Sequence, residues 1–117
     1  MISNLYLSGP MTGIEHLNYP AFRAAAESLR AAGYVVTNPA EKDVPIESPW
    51  IVHMRADIKA MMDCDGLAIL QGWEASKGAN VEIALAHGLG MPVHWLVACL
   101  ALAKPSKAEP GQEARPA

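Results

Sequence analysis

Short apolar runs, each stopped by glycine, proline or asparagine and separated by a helix-length segment, constrain the fold of this 117-residue chain more than any other feature. Ile2 to Leu7 is the first run and ends at Ser8-Gly9-Pro10. Tyr34 to Thr37 is the second and ends at Asn38-Pro39; Gly66 to Leu70 is the third; Val93 to Val97 is the fourth, opened by Pro92. Runs of this length, β-branched or aromatic and bounded by turn residues, read as strands. Between them lie helical segments. Phe22, Ala25, Ala26 and Leu29 recur at helical spacing, with Asn18 expected as N-cap, Pro20 near the first turn and Gly33 as C-cap. Ile51, Met54, Ile58, Met61 and Met62 line one face of a helix over 51–64, and Gly78 to His87 forms an alanine-rich third helix. The apolar stretch Ala98 to Ala103 extends the last strand into a short helix.

Strands alternating with single helices give an α/β fold with a parallel sheet of four to five strands, right-handed crossovers and helices on both faces. The nearly continuous apolar character of the strands agrees with burial on both sides. The expected single domain covers 1–103, followed by a disordered tail over 104–117 rich in Pro, Ala and Glu.

With 51% hydrophobic and 18% charged residues the chain favours a packed core, and a net charge of −3 argues against general attraction to nucleic acid polymers or anionic membranes. The most apolar stretch, Met91 to Ala103, is too short to span a bilayer, and no basic stretch followed by an apolar run opens the chain, so a cytoplasmic protein is expected. Cys64 and Cys99 lack metal-site spacing and read as free thiols. His16, His53, His87 and His94 are scattered, and Asp63 and Asp65 read as turn or capping residues. No metal or cofactor is expected.

An open parallel sheet binds ligands outside the carboxyl ends of its strands. That rule selects the loops 8–13, 38–50 and 71–80. The first, Ser8-Gly9-Pro10-Met11-Thr12-Gly13, combines glycines with backbone N–H groups that can approach a ligand closely, or is a plain strand-to-helix turn. The second carries Pro39, Pro45 and Pro49 and is long for a structureless connection. Near the third lies Glu82 among Val81, Ile83 and Ala84. A carboxylate in such company is either used or complements the helix N-terminus. Asp57, between Met54 and Met61, either joins it or pairs in solvent with Arg55 or Lys59. A pair of carboxylates in unlike environments suits glycosyl transfer, with one as nucleophile and the other handling protons.

The segments Tyr6 to Gly13, Asp57, Asp65 to Leu70 and Ser76 to Ala86, with their Ser-x-Gly-x-x-x-Glu pattern at Ser76, Gly78 and Glu82, resemble the nucleoside 2-deoxyribosyltransferase superfamily over about residues 4–97. The nearest group is its uncharacterised phage and bacterial DUF4406-type members, related to the 2′-deoxynucleoside 5′-phosphate N-hydrolases. The resemblance implies a flavodoxin-like three-layer sandwich, a homodimer or higher assembly, and a small nucleoside or nucleotide substrate whose N-glycosidic bond is cleaved. It implies Glu82 as nucleophile, Asp57 as its helper and Tyr6 as an active-site residue. Ser8, Gly9, Pro10, Met11, Thr12, Gly13, Ser76, Gly78 and Asn80 would bind substrate. Thr12 stands where the monophosphate hydrolases carry an arginine, which removes a bidentate phosphate clamp; Lys77 or Arg55 would be candidates to compensate. A nucleotide-binding module without turnover, on the same fold, is the alternative reading.

Overall fold

The computed structural model describes residues 3–107, with side chains to Leu102. Its strands are β1 (Asn4–Ser8), β2 (Val35–Thr37), β3 (Gly66–Ile69) and β4 (Val93–Trp95), and its helices α1 (Tyr19–Ala31), α2 (Trp50–Met61), α3 (Lys77–Gly88) and α4 (Leu96–Lys107). All strand pairings are parallel, in the order β2-β1-β3-β4. The chain leaves β1 toward one edge of the sheet and later returns to its other side at β3. The carboxyl ends of β1 and β3 therefore flank the switch point at which such sheets open a crevice.

Alternation along β1 and β3 divides the interior. Leu5, Leu7, Ala68 and Leu70 point to one face and pack with Phe22, Ala25, Ala26 and Leu29 of α1 and Cys99 of α4. Tyr6, Leu67 and Ile69 point to the other, against Met61 of α2 and Ile83 and Ala86 of α3. Two helical layers thus enclose the sheet, the three-layer α/β arrangement expected from the sequence, with four strands.

Local chemistry differs from expectation in three places. Asn18 precedes α1, but its backbone is left-handed (φ 60°) and its side-chain amide donates to the Pro10 carbonyl at 2.9 Å instead of capping the helix. His16 and Leu17 share that conformation, at φ 54° and 53°, which non-glycine residues rarely adopt. The last strand stops at Trp95, and the following helix starts at Leu96 and reaches Lys107, four residues into the segment read as a tail. The remainder of that segment lies outside the described residues. Both cysteines are free; Cys99 is buried and Cys64 half-buried beside Thr37. Among the described residues no helix is long and apolar enough to cross a membrane.

Candidate active site

Because side chains alternate, the residues that put Leu5 and Leu7 into the apolar face put Tyr6 and Ser8 into the other. Both then meet α3. The Tyr6 hydroxyl donates to Glu82 Oε2 at 2.8 Å, and the Ser8 hydroxyl donates to Oε1 at 2.6 Å. Tyr6 and Ser8 are essentially inaccessible, and Glu82 is 5% exposed. Each carboxylate oxygen thus has one hydroxyl donor and at least one lone pair left over.

Glu82 is the sixth residue of α3, beyond the first turn. Complementing the helix N-terminus, the alternative left open by the sequence, is not its role. That position belongs to Ser76, whose hydroxyl accepts from the Ala79 N–H at 3.1 Å. Burial pushes the Glu82 carboxyl from its ordinary 4.5 to about 7; the Ser8 and Tyr6 hydrogen bonds pull it down, the nearby Asp57 charge pushes it up, and Lys42 pulls it down. The Tyr6 hydroxyl is raised well above 10.0, first by burial and then by Glu82, so it remains a donor.

Asp57, from α2, is also buried, at 8% exposed. Its partner is neither Arg55 nor Lys59. Lys42 Nζ lies 3.1 Å from Asp57 Oδ1, and the two side chains are 15% and 10% exposed. Burial raises the Asp57 carboxyl, while Lys42 and then His53 lower it. Oδ1 has the lysine's charge beside it but no donor at hydrogen-bonding angle.

Lys42 comes from the 38–50 loop, which sequence alone left without a role. Asn38 caps a short 3-10 turn, Pro39–Glu41, by accepting from the Ala40 N–H at 3.0 Å. Arg30 grips Glu41 with two hydrogen bonds, at 3.0 and 2.9 Å. Farther along, His53 Nε2 lies 3.2 Å from the Ile46 carbonyl. The loop is thereby tied at Glu41 and at Ile46. The signal available in sequence was a lysine in a long loop at the ligand edge of the sheet; nothing in its spacing tied it to Asp57.

Tyr6, Glu82, Asp57 and Lys42 all line one cavity of about 870 Å³ at the carboxyl edge of the sheet. Gly9, Pro10, Met11 and Thr12 form part of its wall, as do Ser76, Lys77 and Gly78. Close approach demands glycine at position 9 and leaves little room at position 78. A Cβ on Gly9 would stand 2.9 Å from Leu70 Cβ, and one on Gly78 would stand 3.1 Å from Met54 Sδ. At the rim, Lys77 Nζ sits 4.2 Å from the Trp50 ring centre, a cation–π contact.

Three residues expected to touch substrate lie elsewhere. Ser8 sits behind Glu82 rather than on the wall. Gly13 is exposed, turns the loop with φ 84°, and is not on the wall. Asn80 is exposed and ties the β3–α3 connection together by donating to the Ser76, Glu74 and Trp73 carbonyls at 2.7, 3.1 and 3.4 Å. Arg55 is also off the wall, so Lys77 is the one of the two proposed substitute cations that reaches the cavity. Asp65 has a turn role: its carboxylate accepts from the Ser3 and Asn4 N–H groups, which hold it below the usual range. Among the described residues no group of three or more His, Cys, Asp or Glu side chains is arranged to hold a metal ion.

The sheet crevice of this α/β protein thus brings two buried carboxylates, a tyrosine and a lysine together on one roomy cavity. The chain belongs to the DUF4406 family, a domain of unknown function, whose profile matches residues 3–95. Its fold is similar to that of a 2-deoxyribosyltransferase from the psychrotolerant bacterium Bacillus psychrosaccharolyticus. The TM-score is 0.61 at 22% identity, over 78% of this chain and 69% of that one. No curated protein matches it.

Proposed function

We propose that this protein cleaves the N-glycosidic bond of a deoxynucleoside or deoxynucleoside monophosphate, with Glu82 as nucleophile. The observation that carries the reading is the buried Glu82 carboxylate, hydrogen-bonded by Tyr6 and Ser8 and sharing a cavity with Asp57. Likeness in fold to a deoxyribosyltransferase supports it.

In the first half-reaction a Glu82 oxygen bonds to the anomeric carbon as the carbon–nitrogen bond breaks. The electron pair leaves with the base, which takes a proton from water, and the hydroxide left behind is neutralised by the proton that Asp57 collects in the second half-reaction. The Tyr6 and Ser8 donors fix the direction of attack. In the second half-reaction water or a second base attacks the same carbon and Glu82 departs as a carboxylate. Asp57, charge-paired with Lys42, accepts the proton of the incoming nucleophile. The cavity wall supplies Gly9 to Thr12 and the Ser76 to Gly78 turn for the sugar and its 5′ substituent.

The test is incubation with a panel of deoxynucleosides and their monophosphates, with and without an acceptor base, followed by chromatography of released base. Release is expected from at least one substrate. Glu82→Gln should lower it by about 10³-fold or more while the fold persists. Base release undiminished in that variant would remove the nucleophile from the mechanism.

A second reading, ligand binding without turnover, is favoured by one observation. The Glu82 carboxyl, pushed up to about 7, is substantially protonated at neutral pH and then a poor nucleophile. Saturable binding with no product after long incubation would select it.

A further inference from the structure

We propose that Lys42 is a positioning residue that keeps Asp57 ionised on the cavity wall, ready to take a proton. The proposal extends the reading of Glu82 and Asp57 as the reacting pair, but its test needs no turnover.

The argument starts from the pair's surroundings. Glu82 is faced by Tyr6 and Ser8 from β1, by Asp57 from α2 and, at longer range, by Lys42 from the 38–50 loop. Asp57 is faced by Lys42 from the 38–50 loop, by His53 from its own helix, and by Tyr6 and Glu82. Two carboxylates in one low-dielectric cavity resist double ionisation. Glu82 has two neutral hydroxyl donors and no cation in contact. Asp57 has the Lys42 ammonium 3.1 Å away. The closer full charge therefore favours the Asp57 anion, against a burial that on balance still raises its carboxyl above the ordinary value.

Lys42 is well placed for this. Its ammonium also donates to the Pro39 carbonyl at 3.3 Å, in the turn gripped by Arg30 through Glu41. The cation is thus held from behind, and Asp57 Oδ1 still has no donor at hydrogen-bonding angle. A buried ion pair is a weak source of net stability, since an apolar replacement of like volume is often neutral. Its position on the cavity wall is better explained by what it does to Asp57.

The experiment is a carbon-13 carboxyl NMR titration of the protein labelled at Asp and Glu side chains, with signals assigned through Glu82→Gln and Asp57→Asn. In the unaltered protein the Asp57 midpoint should lie below that of Glu82. Lys42→Met should raise the Asp57 midpoint, with a gain in proton affinity of at least about tenfold, and Lys42→Arg should restore it. If Lys42→Met does not fold, the nitrogen-15 signal of the Lys42 ammonium in the unaltered protein gives the answer. It should move with the Asp57 titration and lose that step in Asp57→Asn. An Asp57 midpoint unchanged by Lys42→Met, or a Lys42 signal blind to Asp57, would overturn the proposal. Either result stands whether or not any nucleoside is cleaved. Failure to release base with the titrations as expected would instead count against the enzyme reading alone.

Discussion

The two faces of the sheet are built from the same strands and solve opposite problems. On the face covered by α1 and α4, Leu5, Leu7, Phe22, Leu29 and Ala68 form an apolar interior free of buried carboxylates. On the face covered by α2 and α3, apolar packing by Met61, Leu67 and Ile83 gives way at the carboxyl edge to Tyr6, Ser8, Glu82, Asp57 and Lys42. The first face gains stability from removing apolar area from water. The second buries groups whose charged forms are penalised there, and it tolerates them through hydroxyl donors and one ion pair. The comparison teaches that one layer carries the fold and lets the other hold its carboxylates in unfavourable surroundings, where functional groups concentrate.

The sharpest way to test the division is to damage the apolar layer alone. Leu29 is fully buried in α1 and lies in the apolar cluster, away from the cavity wall. Leu29→Ala should lower unfolding free energy by about 2–5 kcal/mol in urea melts, equally at pH 5 and pH 8. A loss that depends on pH would show that the two layers are coupled.

Next in size is the pH dependence of the polar layer. Glu82 binds its proton more tightly when folded, at about 7, than at its ordinary 4.5. Between those values the folded chain holds a proton that the unfolded chain has released. Stability is therefore fully present below the ordinary carboxylate range and falls as pH rises toward 7, by about 3 kcal/mol in all. Urea unfolding of the unaltered protein at pH 5 and pH 8 measures the fall, and Glu82→Gln should abolish most of it. A slope that survives that substitution would place its source outside the carboxylate pair.

The smallest expected effect concerns a single hydroxyl. Tyr6→Phe leaves the ring in the core but removes the donor to Glu82 Oε2. It should cost about 1–3 kcal/mol above the Glu82 midpoint, where the acceptor is charged. It should also move that midpoint upward, because the lost bond favours the ionised form. A downward shift in a carboxyl NMR titration would contradict the assigned role of Tyr6.

Much of this was legible beforehand. Turn residues bounding apolar runs gave the four strands, and helical spacing in Phe22, Ala25, Ala26 and Leu29 gave the buried stripe of α1. Glu82 and Asp57 were singled out as carboxylates in apolar company, and Tyr6 through the resemblance to the deoxyribosyltransferase superfamily. Lys42 was not, because it lies in an irregular loop whose path has no periodicity to read. Asn18 was assigned a cap from its residue type, but a left-handed backbone sent its amide to Pro10. Asn80 and Gly13 looked like ligand contacts, yet hydrogen bonding and loop direction turned them to scaffold roles.

The sequence by itself determined the alternation of strand and helix, because local apolar periodicity and turn chemistry need only neighbouring residues. It also determined which face of β1 each side chain takes, since strand side chains alternate in direction. Only the tertiary structure decided that Glu82 meets two hydroxyls and that Asp57 meets Lys42. Those partners are far apart along the chain, and it is the sheet order and the fixed path of the 38–50 loop that bring them within hydrogen-bond and ion-pair distance.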